Sequence, residues 1–317
     1  MSSVLLAIFA CLVYLVLLFN LPQTYLFSPP IGAMKICVTG ANGQTGSIVV
    51  RKIVEHKEHE VVAVVRSEAA KKQLLGQVPQ LQDESISICE SFEKDKLKEA
   101  FATCDKLVIL TSSKPKLVFS SLFGVMFQKY IMRKEGVRPT FYYPEGQTPR
   151  DVDWIGQKAQ IDAAKELSLK QVVLISSMAG TQPDHFLNTM GGGKIVLYKR
   201  KAEKYLIDSG IPYTIIHPGG LLPHYGKPAT SEDCQGFKRE LVVAVDDALL
   251  ESKTRLIPRE DVAEVTVQAL QTREAINTSW DLVSKNIGEG EIFTTLSKLL
   301  KGAKSLHCNY EKPDLPE

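Results

Sequence analysis

Thr39-Gly40-Ala41-Asn42-Gly43-Gln44-Thr45-Gly46 spaces its glycines three apart, after a β-branched run at 35–39 and at the start of a helical pattern over 43–55. A glycine-rich loop between a buried strand and a helix is the setting in which a dinucleotide pyrophosphate binds. Gly40 would allow the tight turn, Gly43 the approach of backbone to phosphate, and Gly46 the packing of helix on strand. The helix N-terminus adds unpaired N–H groups and a positive dipole. Thr39, Asn42, Gln44 and Thr45 complete the loop and join the glycines as cofactor-binding candidates.

A second candidate pair ends the next β-branched run, 60–65, at Arg66-Ser67. An acidic residue there would accept from the ribose 2′-OH of NAD and repel a 2′-phosphate. Arg66 does the opposite, and its planar fork suits phosphate. Ser67 adds a hydroxyl at the following helix start. The expected cofactor is NADP, with NAD second.

Positioning these residues requires alternating strands and helices. From Met34 onward, strands are expected at 35–39, 60–65, 86–89, 106–110, 171–175, 213–217, 241–245 and 279–283. Helices are expected at 43–55, from Ser67, at 153–166, at 195–209, from Pro258 and at 292–300. That alternation predicts an α/β fold, a doubly wound parallel sheet in a single domain. Pro258 suits a first helical position, where no N–H is needed. Residues 116–147 read as an irregular insertion and 219–236 as a loop. The apolar stretch 117–127 lies in that insertion, as a lid on the domain, a wall of a lipophilic site or a contact with a bilayer.

The net charge of +2 gives no basic excess for nucleic acid. The 6 cysteines form no CxxC pair and stand at no metal-ligand spacing from histidine. They read as reduced thiols, with no metal expected.

Five further stretches carry a resemblance. They are Asp153-Trp154-Ile155-Gly156-Gln157-Lys158, residues 176–181, Lys199-Arg200-Lys201-Ala202-Glu203, residues 212–220 and residues 258–264. In that order they resemble the atypical and extended short-chain dehydrogenases/reductases, above all the plant-type single-domain NAD(P)-binding proteins, over nearly all of 34–300. The resemblance implies a Rossmann fold and hydride transfer between NAD(P) and a small molecule. Gln44 departs from it: relatives often carry Arg there as a second phosphate contact, which makes the expected NADP preference moderate. The resemblance places Glu90 at the adenine, in place of the usual Asp. It sets Thr111 and Ser112 along the nicotinamide ribose, and Pro218 and Gly219 against the nicotinamide face.

The same resemblance implies a catalytic Ser, Tyr and Lys, with Tyr and Lys one helical turn apart in YxxxK. Lys199 holds the lysine place, and Ser176 and Ser177 the serine place. Four residues before Lys199 stands Ile195, which has no proton to give. Tyr198, adjacent to Lys199, falls on another helix face. His185 titrates near neutrality and is the candidate substitute acid. His217 reads as a satisfied buried histidine, and Glu203 as a residue that orients Lys199 or solvates its helix. Two readings follow: an NADP-dependent oxidoreductase acting on a carbonyl, enone or quinone, or a non-catalytic NADP-binding sensor or regulator.

Residues 4–21 are apolar except Asn20. As a helix they would reach roughly 27 Å, close to the ~30 Å hydrocarbon core. Residues 1–33 therefore read as a hydrophobic anchor and linker, and 34–317 as the NAD(P)-binding domain. Basic residues lie only after the segment, which puts the domain on the cytosolic side of a membrane. The alternative is a cleaved segment that targets the chain to an organelle.

Overall fold

The computed structural model describes residues 32–133, 137–222, 234–311 and 313–316. The hydrophobic segment 4–21 lies outside them. Among the described residues no helix is long and apolar enough to cross a membrane.

The elements run β1 (Lys35–Thr39), α1 (Gly46–His56), β2 (Glu60–Val65), α2 (Glu68–Gln77), β3 (Ile86–Ile88), α3 (Lys94–Phe101) and β4 (Lys106–Ile109). Then come β5 (Lys116–Leu117), α4 (Phe119–Met126), β6 (Phe141–Tyr142), α5 (Gln157–Glu166), β7 (Gln171–Ile175), α6 (Phe186–Thr189), α7 (Ile195–Asp208) and β8 (Tyr213–Pro218). The chain continues through β9 (Gly220–Leu222), β10 (Leu241–Ala244), β11 (Leu256–Pro258), α8 (Arg259–Ala269), β12 (Thr278–Ser284) and α9 (Leu296–Lys301).

The main sheet has the order β10-β12-β8-β7-β4-β1-β2-β3. Its ladders are parallel except β10 on β12, an antiparallel edge. Strands covered on both faces must be apolar throughout, and every residue of β7 is buried. Alternation along β1 sorts the two layers, because successive side chains point to opposite faces. Ile36 and Val38 pack with Val49, Ile53, Val262 and Val265 of α1 and α8. Cys37 packs with Leu97, Phe101, Ile161 and Ala164 of α3 and α5. The five described cysteines are all free and buried.

Several expected boundaries shift. The helix expected from Asp153 begins earlier, as a π-helical turn at Arg150–Gly156 that runs into α5. The Phe92 ring lies where a Cβ on Gly156 would be, 2.8 Å away. Pro258 is the residue before α8, extended at φ −60° and ψ 139°, and ends β11 rather than opening the helix. The last helix starts at Leu296, not Ile292, where the Thr295 side chain accepts from Lys298 N. The loop expected over 219–236 opens with β9. The insertion is not irregular: it closes as the antiparallel pair β5–β6 around α4 and a π-helical turn, Phe127–Ile131. Its apolar stretch is no packed lid, since neither helical segment has a buried residue.

Candidate functional site

The carboxyl ends of β1, β2 and β4 frame a cleft of about 160 Å³ lined by Gly40, Asn42, Gly43, Arg66, Thr111 and Ser112, among others. Gly40 takes φ +70°, and a Cβ there would stand 2.8 Å from the Leu110 carbonyl carbon. Gly43 N–H closes the turn onto Gly40 O at 2.9 Å. A Cβ on Gly46 would run into that same Gly40 carbonyl, so α1 can start this close only with glycine. The cradle is thus shaped by absent side chains, which is what a phosphate-binding turn requires. The residues present fit a dinucleotide.

Arg66 is exposed at the cleft wall, at the end of β2. Ser67 caps α2, its Oγ accepting from Ala70 N at 3.2 Å. Asn42 reaches Gln73 of the same helix at 3.2 Å. Glu90 is exposed and lines neither the cleft nor a small adjoining hollow, whose wall is Cys89, Ser91 and Phe92 among others. A larger cavity, about 680 Å³, runs along β10 and residues 291–305 and touches none of the expected residues.

Two buried glutamines of the α5 helix fix the β4 end. Gln160 accepts from Thr39 Oγ1 at 2.6 Å and donates to Thr111 Oγ1 at 3.1 Å, while Gln157 donates to Thr111 O at 2.8 Å. Asp153, one turn earlier and fully buried, accepts from the Ser113 backbone N–H at 3.0 Å and hydroxyl at 2.6 Å. Its other oxygen holds Lys199 Nζ at 2.8 Å. Lys199 is therefore buried and ion-paired at the cleft end of α7, not paired with Glu203.

Glu203 belongs to a second network. Ser176 Oγ donates to Glu203, whose other oxygen meets His217 Nε2 at 3.0 Å. His217 Nδ1 faces Asp281 Oδ1 at 3.3 Å and Cys308 Sγ at 3.7 Å. Burial by itself would raise Glu203, but the His217 charge and hydrogen bond, with Arg200 and Ser176, hold it at about 2. Burial would lower His217, yet the Glu203 charge and the bonds to Asp281, Cys308 and Glu203 carry it well above 6.5. Asp281 is raised by burial against the pull of His217. The expectation for Glu203 is thus corrected: it is a buried bridge from Ser176 to His217. His217 is satisfied, as expected. Sequence spacing missed Cys308, which reaches His217 from 91 residues away.

Ser177 Oγ donates to Met178 O at 3.0 Å. Pro218 ends β8, and Gly219 N–H donates to Leu282 O at 2.9 Å. A Cβ on Gly219 would run into the Arg255 carbonyl. His185 precedes α6, its ring 4.7 Å from that of Phe186, and its buried Nδ1 has no hydrogen-bond partner. Burial lowers its pKa.

Tyr143, just after β6, went unnoticed in the sequence. Its ring covers Gly193, two residues before Ile195, so that a Cβ on Gly193 would run into it. Its buried hydroxyl has no hydrogen-bond partner. Burial, with the charge of Asp153 second, pushes that phenol up to about 12.

Comparison with known proteins agrees with this geometry. The NAD(P)H-binding family profile matches residues 40–273. Sanguinarine reductase of Eschscholzia californica is 44% identical over 266 residues, 81% of this chain and 92% of that protein. An uncharacterised chloroplastic protein of Arabidopsis thaliana is 43% identical over 258 residues, 81% of this chain and 71% of that protein. A putative NAD-dependent epimerase/dehydratase from Bacillus halodurans superposes with a TM-score of 0.59 at 21% identity, covering 85% of this chain and 99% of that one. This last likeness shows the Rossmann fold.

Proposed function

The chain belongs to the NAD(P)H-binding family, and we propose that it is an NADP-dependent reductase that delivers hydride to a carbonyl, enone or quinone. The turn at Gly40, Gly43, Gln44, Thr45 and Gly46, with the α1 N-terminus, would hold the pyrophosphate. Arg66 and Ser67 would hold the 2′-phosphate. Thr111, Ser112 and Lys199 would line the nicotinamide ribose, and Pro218 with Gly219 the ring. When bound, the reduced nicotinamide supplies the hydride.

The observation that carries the reading is Tyr143, a buried protic group without a partner, in the field of the carboxylate that holds Lys199. It offers the proton that Ile195 cannot. A phenol near 12 stays protonated at neutral pH and still gives its proton readily to a developing alkoxide. His185, with an unpartnered Nδ1, is the second candidate donor. Asp153 keeps Lys199 in place, and the Ser176–Glu203–His217 chain stiffens the end of β7. The 44% identity to a reductase supports the same reading.

A second reading rests on one observation. The Lys199 charge is already matched by Asp153, which suits a non-catalytic NADP-binding regulator. NADPH oxidation across quinones, enones, aldehydes and sanguinarine separates the two. Turnover of any acceptor supports the reductase; tight NADPH binding with no turnover supports the regulator.

For location we keep residues 1–33 as a membrane anchor with the domain facing the cytosol. The chloroplastic relative supports the alternative, an organelle-targeted chain whose segment is cleaved. Digestion of the domain in sealed microsomes without detergent supports the anchor. A mature N-terminus beyond residue 21 supports cleavage.

A further inference from the structure

Helix α4 and the π-helical turn after it carry an amphipathic pattern laid the wrong way round for a helix docked on its own domain. Phe119, Leu122, Phe123, Met126, Phe127 and Tyr130 recur at the spacing of one helix face. That face looks outward: Phe119 is 75%, Phe123 78% and Tyr130 70% exposed. The polar Ser121 and Gln128 are half-buried instead. Ser121 ties the helix to the β5–β6 hairpin, its hydroxyl donating to Val118 O at 2.6 Å and accepting Thr140 N–H at 2.9 Å. A contiguous apolar surface of this kind marks an interaction site.

Charge selects the partner. Lys116, Lys129 and Arg133 are exposed on or beside the helix and Lys114 and Arg138 in the flanking chain, against a single acid, Glu135, between residues 111 and 144. Pairing two copies of the chain through this face would oppose cation to cation. An apolar helix face flanked mainly by cations complements the acyl chains and headgroups of an anionic bilayer. Its thirteen residues reach roughly 20 Å, too short to span and long enough to lie in the interface.

We propose that residues 119–131 form a membrane-interface helix that sinks its phenylalanine face into the surface of an anionic bilayer. The contact holds whether or not the protein is a reductase.

The test uses the full chain with a probe on the face itself, so that binding through residues 4–21 does not mimic the result. Phe123→Trp is mixed with phosphatidylcholine vesicles, with or without phosphatidylserine, carrying brominated acyl chains. Ile276→Trp is the control, at the amino ends of the parallel strands, whereas the insertion leaves the carboxyl end of β4. The expected result is strong quenching at 123 on the anionic vesicles and none at 276. Lys129→Glu with Arg133→Glu in the Phe123→Trp chain should weaken that quenching by on the order of tenfold in lipid concentration. An unquenched probe at 123 on a vesicle-bound chain overturns the proposal. So does a concentration-dependent dimer that Phe123→Glu abolishes and lipid does not compete with.

Discussion

Lys199 Nζ lies 2.8 Å from Asp153 Oδ1, and both side chains are buried. The lysine arrives on α7 and the aspartate on the π-helical turn before α5, while Ser113 at the end of β4 donates twice to the other carboxylate oxygen. This arrangement joins Ser113 at the cleft edge to α7. A buried charge left without its partner is strongly destabilising. Asp153→Asn should therefore cost about 3–5 kcal/mol in urea unfolding. Adding Lys199→Met should recover much of that loss, a coupling that a double-mutant cycle reads directly. Additive losses would show that the pair does not interact.

On the proposed reading, Arg66 sets the choice of cofactor. NADPH should bind more tightly than NADH, and Arg66→Ala should remove most of the difference, on the order of 1–3 kcal/mol for a charged hydrogen bond. Titration of both cofactors by fluorescence measures it. Equal affinities in the unaltered protein would sink the assignment.

On the same proposed reading, Tyr143 donates the proton without holding the cofactor. Tyr143→Phe should lower kcat by about 10²-fold or more, the usual worth of a positioned acid, with NADPH affinity unchanged. Tyr198→Phe should leave both intact. If His185→Asn instead gives the large kcat loss, the proton comes from the loop before α6.

The Glu203–His217 pair predicts a pH profile for stability. Glu203 falls from 4.5 to about 2 on folding, so its contribution is present above 4.5 and lost as pH falls through about 2. His217 is raised, so its contribution is complete below 6.5 and lost as pH rises through its elevated value. Asp281, raised by burial, opposes the loss on the acid side. The urea midpoint of Glu203→Gln should lie furthest below that of the unaltered chain between pH 4.5 and 6.5, and the gap should close toward pH 2. A gap that is flat with pH would mean the pair is uncharged.

Gly46→Ala tests the turn. Its methyl would meet the Gly40 carbonyl, so α1 must move away from β1. The expected result is a stability loss of about 1–3 kcal/mol together with lost NADPH binding by calorimetry. Unimpaired binding would show that the turn is not the phosphate site.

The sequence by itself determined the frame. Strand and glycine-turn signals are local: β-branched runs such as Glu60–Val65 and the turn at Gly40 depend on neighbours in the chain. That locality is why the strand positions, the glycine turn and the place of Arg66 at the end of β2 could be read from one-dimensional pattern. The same pattern showed that Ile195 breaks the expected dyad. It could not show that Tyr143 packs on Gly193 or that Asp153 pairs with Lys199, because these contacts come from tertiary folding of an insertion and a π-helical turn. Nor could it show that Glu203 turns toward His217 rather than Lys199. Residues 199 and 203 share a helix face, and only the position of β8 and of the tail at Cys308 decides which neighbour each meets. The stretch 117–127 was legible as apolar, but that its phenylalanines face outward is set by how the β5–β6 hairpin closes around the helix, with Thr140 N–H donating to Ser121 Oγ. Local signals fix elements because a residue's backbone preference is its own. Sites depend on long-range packing, in which the side chains that meet are set by how the elements stack.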